Sequence, residues 1–271
     1  MSIEKAKLLT NNFKCGKILQ KTTNKGYTKG YTTKMKSKNT QKIYLAIAVA
    51  LLGVFLLFTA IALRVDVKPI GPNGSSVGLS TVNDAFRKAL GTTEGYNELW
   101  YGISELAGLI PLAVAACFAI LGLCQAIKRK SLLKVDSHLF ALAGFYALLL
   151  LAYVGFEIVE INFRPVLMEG ELEASYPSSH TMLSIGIMST AIFELHELIK
   201  NKKAILIITD ILCCTVALTV LLGRLLSGVH WLTDIIAGAL LAASLVCFYR
   251  YGVLLLKNIK SKKQKESTVN D

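Results

Sequence analysis

Apolar positions in this chain do not alternate with polar ones; they run together in long blocks. The first, Ile43–Leu63, reads IYLAIAVALLGVFLLFTAIAL without one charge. Others follow at Ile103–Ile127, His138–Val159, Thr181–Leu198, Ala204–Leu222 and Trp231–Leu256. A helix of about 20 apolar residues crosses a hydrocarbon core of about 30 Å with every backbone polar group satisfied internally. A membrane barrel would need short alternating segments, and these are absent. The pattern predicts an all-α polytopic membrane protein with six transmembrane helices. A hydrophobic fraction of 53% and a mean hydropathy of +0.51 sharpen this only through how the residues are gathered. A soluble domain can hold nearly as many apolar residues, but not in such blocks. The expected organisation is a basic, disordered tail over residues 1–42, a six-helix domain over 43–256 and a second basic tail over 257–271.

Charge then sets the orientation. Lysines crowd the segment before the first block, and further clusters stand at Lys128–Lys134, Lys200–Lys203 and Lys257–Lys265. With six spans these clusters share one side, whereas the loops Arg64–Tyr101, Glu160–His180 and Gly223–His230 share the other with nearly balanced charge. By the positive-inside pattern both termini are expected on the cytoplasmic side of a plasma membrane, and the absence of extra domains and outer cysteines fits a bacterial one. The net charge of +12 is then mostly a topology signal. It does not indicate nucleic acid, because the basic residues sit in tails and short loops rather than on an aromatic-interleaved face. The tail lysines are expected to meet anionic membrane lipids. A polar stretch before a long first block reads as a signal anchor, not a cleavable leader. Cys117, Cys124, Cys213, Cys214 and Cys247 fall inside spans and Cys15 in the first tail, so no outer disulfide is expected.

The chemistry gathers in three segments, all assigned to the outer face: NFRP with Arg164 and Pro165, YPSSH from Tyr176 to His180, and GRLLSGVHWLTD from Gly223 to Asp234. His230 and Asp234 are four apart and share a helix face, so the carboxylate can orient the ring and leave its other nitrogen as nucleophile or base. Asp234 lies about one turn into an apolar span, where an unpaired carboxylate is costly. Arg224 offers a planar fork that suits phosphate oxygens. The second segment brings a hydroxyl, backbone N–H groups at a helix start and a second imidazole, and helix N-termini favour anions.

These segments resemble the three signatures of the type-2 phosphatidic acid phosphatase superfamily, approximately K-x6-RP, PSGH and SR-x5-H-x3-D. The matching residues are Arg164 and Pro165; Pro177, Ser178 and His180; and Arg224, His230 and Asp234. The resemblance implies a six-helix core and metal-independent hydrolysis of a lipid phosphate monoester or pyrophosphate, with no cofactor. It implies that His230 attacks phosphorus, Asp234 holds it, and His180 protonates the leaving oxygen and then activates water. Arg164, Ser178, Ser179 and Arg224 would hold the phosphoryl oxygens. Ser179 stands where the pattern has glycine, and Gly223 where it has serine. Glu157 stands where the pattern has lysine, and it can face the phosphate, pair with Arg164 or pair with Lys68. The alternative reading is therefore a weakly active or inactive relative that binds lipid phosphates. A transporter is a third reading, disfavoured because the span middles are apolar.

Other polar residues carry weaker expectations. Glu105, near the outer end of the second span, is a candidate modulator of the site. His138, Glu194, His196 and Glu197 read as solvated helix ends on the far side, and Asp210 as hydrated or lysine-paired. Trp100, Tyr101 and Trp231 read as interfacial anchors, and the Gly/Pro-rich stretch Pro69–Gly78 as a turn-rich loop.

Overall fold

The computed structural model describes residues 38–200 and 202–270, of which 263–270 by backbone alone. The expected disorder of the first tail, and Cys15 with it, lies outside the described residues. Of the two units into which the chain divides, Met1–Ile43 contributes only the start of the first helix among those residues. Tyr44–Asp271 holds the rest.

Among the described residues seven α-helices make up the fold: α1 Lys38–Arg64, α2 Ser80–Leu90, α3 Glu98–Lys128, α4 Ser137–Val159, α5 Ser179–Leu198, α6 Lys203–Ser227 and α7 Leu232–Asn270. Five of them (α1, α3, α4, α6 and α7) are long and apolar enough to cross a membrane. The sixth expected span, α5, is 20 residues long but less apolar. Its place explains its composition: Ser184, Gly186, Thr190 and Ala191 are buried in a helix that packs against α6, α7 and α4, with Gly186 facing Phe145 and Leu149 of α4. Small side chains let membrane helices approach closely, and lipid-facing leucines would serve no purpose there. The outer helices do show them, with Leu57, Leu106, Leu151 and Ile211 among the exposed apolar side chains. The chain is thus a multi-pass helical membrane protein.

The helix α2 was not expected. Residues 64–101 read as one loop, but Gly91 in the left-handed region (φ 68°) closes a helix whose last turn holds Arg87 and Lys88, a C-terminal signal available in the sequence. Its polar face is buried for a reason. Asn83 Nδ2 donates to Thr233 Oγ1 at 3.1 Å, and Asn83 Oδ1 accepts from Thr233 N at 3.3 Å. Arg87 donates to the carbonyl of Thr92 and lies 5.4 Å from the Trp231 ring. Through these contacts α2 braces the first turn of α7. At the other end of the chain, α7 does not stop at Leu256 but continues as helix to Asn270, so the segment 257–270 prolongs the last span.

At the end of the bundle where α4 begins and α5 ends, the expectation of solvated side chains fails for His138 and Glu194. Glu194 is fully buried. Its carboxylate meets His138 Nδ1 at 2.5 Å and accepts from Tyr249 at 2.5 Å, joining α4, α5 and α7. The period of α5 turns Glu194 inward, and burial then requires partners. His196 is exposed and pairs with Asp210 at 2.9 Å, so the partner of Asp210 is a histidine rather than a lysine. Glu197 pairs with Lys257.

Candidate functional site

The opposite end of the bundle brings together the starts of α3, α5 and α7, the ends of α4 and α6, and the loop between α4 and α5. That loop folds back on itself: Phe163 bridges Ala174 and Met168 bridges Glu171, around Glu169 and Gly170 at φ 52° and 88°. The turn carries Arg164 and Ser175 inward together. Helix α6 ends at Gly228, whose φ of 74° makes a left-handed stop without a steric penalty. The chain then turns through Val229, His230 and Trp231 into α7.

Arg224, His230 and Asp234 are all buried. Asp234 accepts from Trp231 N at 2.9 Å, from Asn162 Nδ2 at 3.2 Å and from the Ser175 hydroxyl. The direct approach of Asp234 to His230 Nδ1 is 3.6 Å, whereas Ser175 Oγ lies 3.0 Å from the same nitrogen. Burial, with Arg164 and Arg224 nearby, holds the His230 imidazole well below its ordinary pKa, so the ring is neutral near neutral pH. Ser178 precedes α5 as its N-cap, and its N–H donates to the Asp234 carbonyl at 3.0 Å. This close approach of α5 to α7 depends on Gly238. A methyl there would lie 2.7 Å from the Ser178 carbonyl oxygen and 3.3 Å from Thr181 Cβ.

The two arginines are held by carboxylates. Arg224 Nη2 pairs with Glu105 Oε1, and Glu105 Oε2 lies 3.6 Å from His180 Nε2. The Arg224 guanidinium also sits 5.1 Å from the Tyr101 ring, so Tyr101 is part of this cluster. Arg164 faces Glu173 at 3.2 Å. Glu157 pairs with neither of its expected partners, since Lys68 is taken by Asp66. Instead Glu157 joins Glu160, Glu173, Arg164, Ser179 and His180 around an open cavity of about 370 Å³. Polar atoms of the cluster remain without a hydrogen-bond partner among the described residues: Ser178 Oγ, His180 Nδ1, Arg224 Nε and Nη1, and His230 Nε2. Buried polar atoms are normally satisfied, so the free donors here can receive acceptor atoms and the two imidazoles can exchange protons.

Sequence reasoning named the arginines, the histidines and Asp234, and the fold brings them into one cluster with Glu105. It missed Ser175, just before the second signature, and Asn162, at a position within the first to which no role was given; both reach Asp234 only because the loop folds back. It also misjudged Trp231. That ring is 1% exposed, and its Nε1 donates to the Phe163 carbonyl at 2.8 Å, pinning the Arg164 loop to the start of α7. The departure at Gly223 has a packing cause: a methyl there would stand 2.7 Å from Ser104 Cβ, where α6 meets α3.

Residues 156–256 match the PAP2 superfamily. No curated protein sequence matches the chain. Among solved structures, the crystal structure of the first transmembrane PAP2 type phosphatidylglycerolphosphate phosphatase from Bacillus subtilis is similar, with a TM-score of 0.50 and 24% identity, over 79% of this chain and 96% of that one. All three signature segments fall inside the matched stretch, and the helices follow the fold of that phosphatase. Residues 156–256 of this membrane protein are thus similar to the PAP2 superfamily.

Proposed function

We propose that this protein is a lipid phosphatase that hydrolyses a phosphate monoester or pyrophosphate, of the phosphatidic acid or prenyl pyrophosphate type, through a phosphohistidine at His230. The observation that carries the proposal is the set of unpartnered polar atoms on Ser178, His180, Arg224 and His230. These belong to side chains suited to hold and transfer a phosphoryl group. In the first step the lone pair on His230 Nε2 attacks phosphorus, the bond from phosphorus to the leaving oxygen breaks, and His180 gives that oxygen a proton. In the second, His180 takes a proton from water, the hydroxide attacks phosphorus and the phosphorus–nitrogen bond breaks. Arg164 and Arg224 neutralise the phosphoryl oxygens, with Ser178 and Ser179 donating beside them, so the residues themselves supply the positive charge that a metal ion supplies elsewhere.

We place this end of the bundle on the extracytoplasmic side, with both termini cytoplasmic, because Lys128, Arg129, Lys203 and Lys257 lie toward the opposite helix ends. We retain the six-helix domain over 43–256 between its basic flanks as the functional unit. A second reading has its own support: both arginines already face carboxylates, Glu105 and Glu173. On that reading the chain binds lipid phosphates and hydrolyses them weakly or not at all.

Phosphate release from short-chain phosphatidic acid, a prenyl pyrophosphate and phosphatidylglycerolphosphate in detergent separates the two. The wild-type protein is expected to release phosphate, with or without EDTA, and His230→Ala to release none. Full activity in His230→Ala, or an EDTA loss that zinc or magnesium restores, refutes the mechanism. Binding without turnover in the wild type selects the second reading.

A further inference from the structure

We propose that Ser175 is a positioning residue that joins Asp234 to His230, so that the nucleophile is oriented through a hydroxyl relay rather than by a carboxylate touching the ring. The inference rests on the phosphohistidine reading and adds a residue to it. The distances carry it. Asp234 Oδ2 is 3.6 Å from His230 Nδ1, beyond the range of about 2.7–3.2 Å for an N–H donor and an oxygen acceptor. Ser175 Oγ fills the gap: it is 3.0 Å from Nδ1 and within hydrogen-bond distance of Oδ2.

Proton counting fixes the directions. Asp234 meets three donors, Ser175 Oγ, Asn162 Nδ2 and Trp231 N, and acts as acceptor to each. The single hydrogen of Ser175 therefore points at Asp234, and its oxygen is left to accept from Nδ1–H. The ring then carries its proton on Nδ1 and presents a lone pair at Nε2, the atom with no partner among the described residues. When Nε2 bonds to phosphorus the ring gains positive charge. The Nδ1–H bond to Ser175 strengthens, and the negative charge of Asp234 is felt through the hydroxyl.

The hydroxyl is held where it must be. Ser175 is 2% exposed, and its N–H donates to the Asn162 carbonyl at 3.0 Å. Asn162 thus ties the backbone of Ser175 and the carboxylate of Asp234 to one residue. Other charged or titratable groups facing the ring are Arg164, Arg224, Glu105 and His180, and the backbone of Ser175 also lies against it. Among the described residues none of the four side chains has a hydrogen bond to Nδ1.

A double-mutant cycle and a spectroscopic readout test this. Ser175→Ala is expected to lower kcat about ten- to hundredfold, as losses of an orienting partner do, with KM and vanadate affinity unchanged. Ser175→Thr, which keeps the hydroxyl, is expected to restore at least part of it. Asp234→Asn should cost little further in the Ser175→Ala background, because the carboxylate acts through the serine. Additive losses, or a matching loss of anion affinity, overturn the relay and make Ser175 a general support of the fold. Nitrogen-15 spectra of the labelled histidines test the same point without turnover. The wild-type protein should hold His230 as the Nδ1–H tautomer, and Ser175→Ala should release it to a mixture. An unchanged tautomer in Ser175→Ala refutes the relay even if His230→Ala proves inactive. A wild-type chain with the Nδ1–H tautomer and no hydrolysis refutes the phosphatase reading and retains the relay.

Discussion

Glu105→Gln tests whether the resting site is held shut to phosphate by its own carboxylate. Arg224 is fully buried and spends one terminal nitrogen on Glu105, whose side chain is 41% exposed. A dianionic phosphate on the same guanidinium meets a negative charge within one side-chain length. Unit charges 4 Å apart interact by about 4 kcal/mol at an effective dielectric of about 20. The exposure of Glu105 admits water and ions, which reduce that figure well below its bare value. We take about 1.4 kcal/mol as the surviving repulsion, which is tenfold in affinity. Glutamine keeps the shape and one acceptor oxygen but removes the charge. Vanadate and inorganic phosphate are therefore expected to inhibit Glu105→Gln about tenfold more tightly than the wild type, with the difference shrinking as salt rises. Turnover is expected to fall, because His180 loses the carboxylate 3.6 Å from its Nε2. Inhibition constants from phosphate release, with thermal shifts on vanadate as a check independent of turnover, supply the measurement. Unchanged or weaker anion binding would refute the reasoning and make Glu105 the residue that holds Arg224 in place for phosphate.

Glu157→Lys is expected to tighten vanadate inhibition by a smaller factor, about threefold, because Glu157 lines the open cavity but pairs with neither arginine; equal inhibition constants would show that this departure from the family pattern is silent. Because burial and two arginines hold His230 well below its ordinary pKa, the neutral nucleophile persists as pH falls. From about pH 7 to about pH 6 kcat/KM should show no loss attributable to His230, and an acid limb near pH 6.5 that persists on changing salt, lipid charge and the substrate's own ionisation would contradict that assignment.

How much of this was legible in the sequence differs from element to element. The membrane helices were, because roughly 20 apolar residues in a row have few other uses. The cluster of Arg164, His180, Arg224, His230 and Asp234 was, because each lies in a short segment whose spacing encodes its geometry. Helix α2 was not, although Gly91 and the two basic residues before it mark its end, because its buried face is polar. Asn83 and Arg87 satisfy α7 and Trp231 rather than an apolar core, so no hydrophobic stripe announces them. Ser175 and Asn162 were invisible for another reason. Their partner is 59 and 72 positions away, and only the folded-back loop between α4 and α5 brings them to it. Glu194 was misjudged because being near a helix end in sequence does not say which way a residue turns, and three helices converge where it points.

The hydrogen that serves as the side chain of Gly238 has a consequence of its own. It works as a spacer gauge: α5 and α7 approach without room for a side chain, and the start of one helix, with Ser178 and His180, is thereby set against the start of the other, with Asp234. A single methyl at 238 would meet the Ser178 carbonyl oxygen at 2.7 Å and act as a wedge. It would drive the helices apart while every reactive group stayed intact. The spacing of the proposed site is therefore calibrated by a residue that takes no part in the proposed chemistry, and the calibration tolerates error in one direction only.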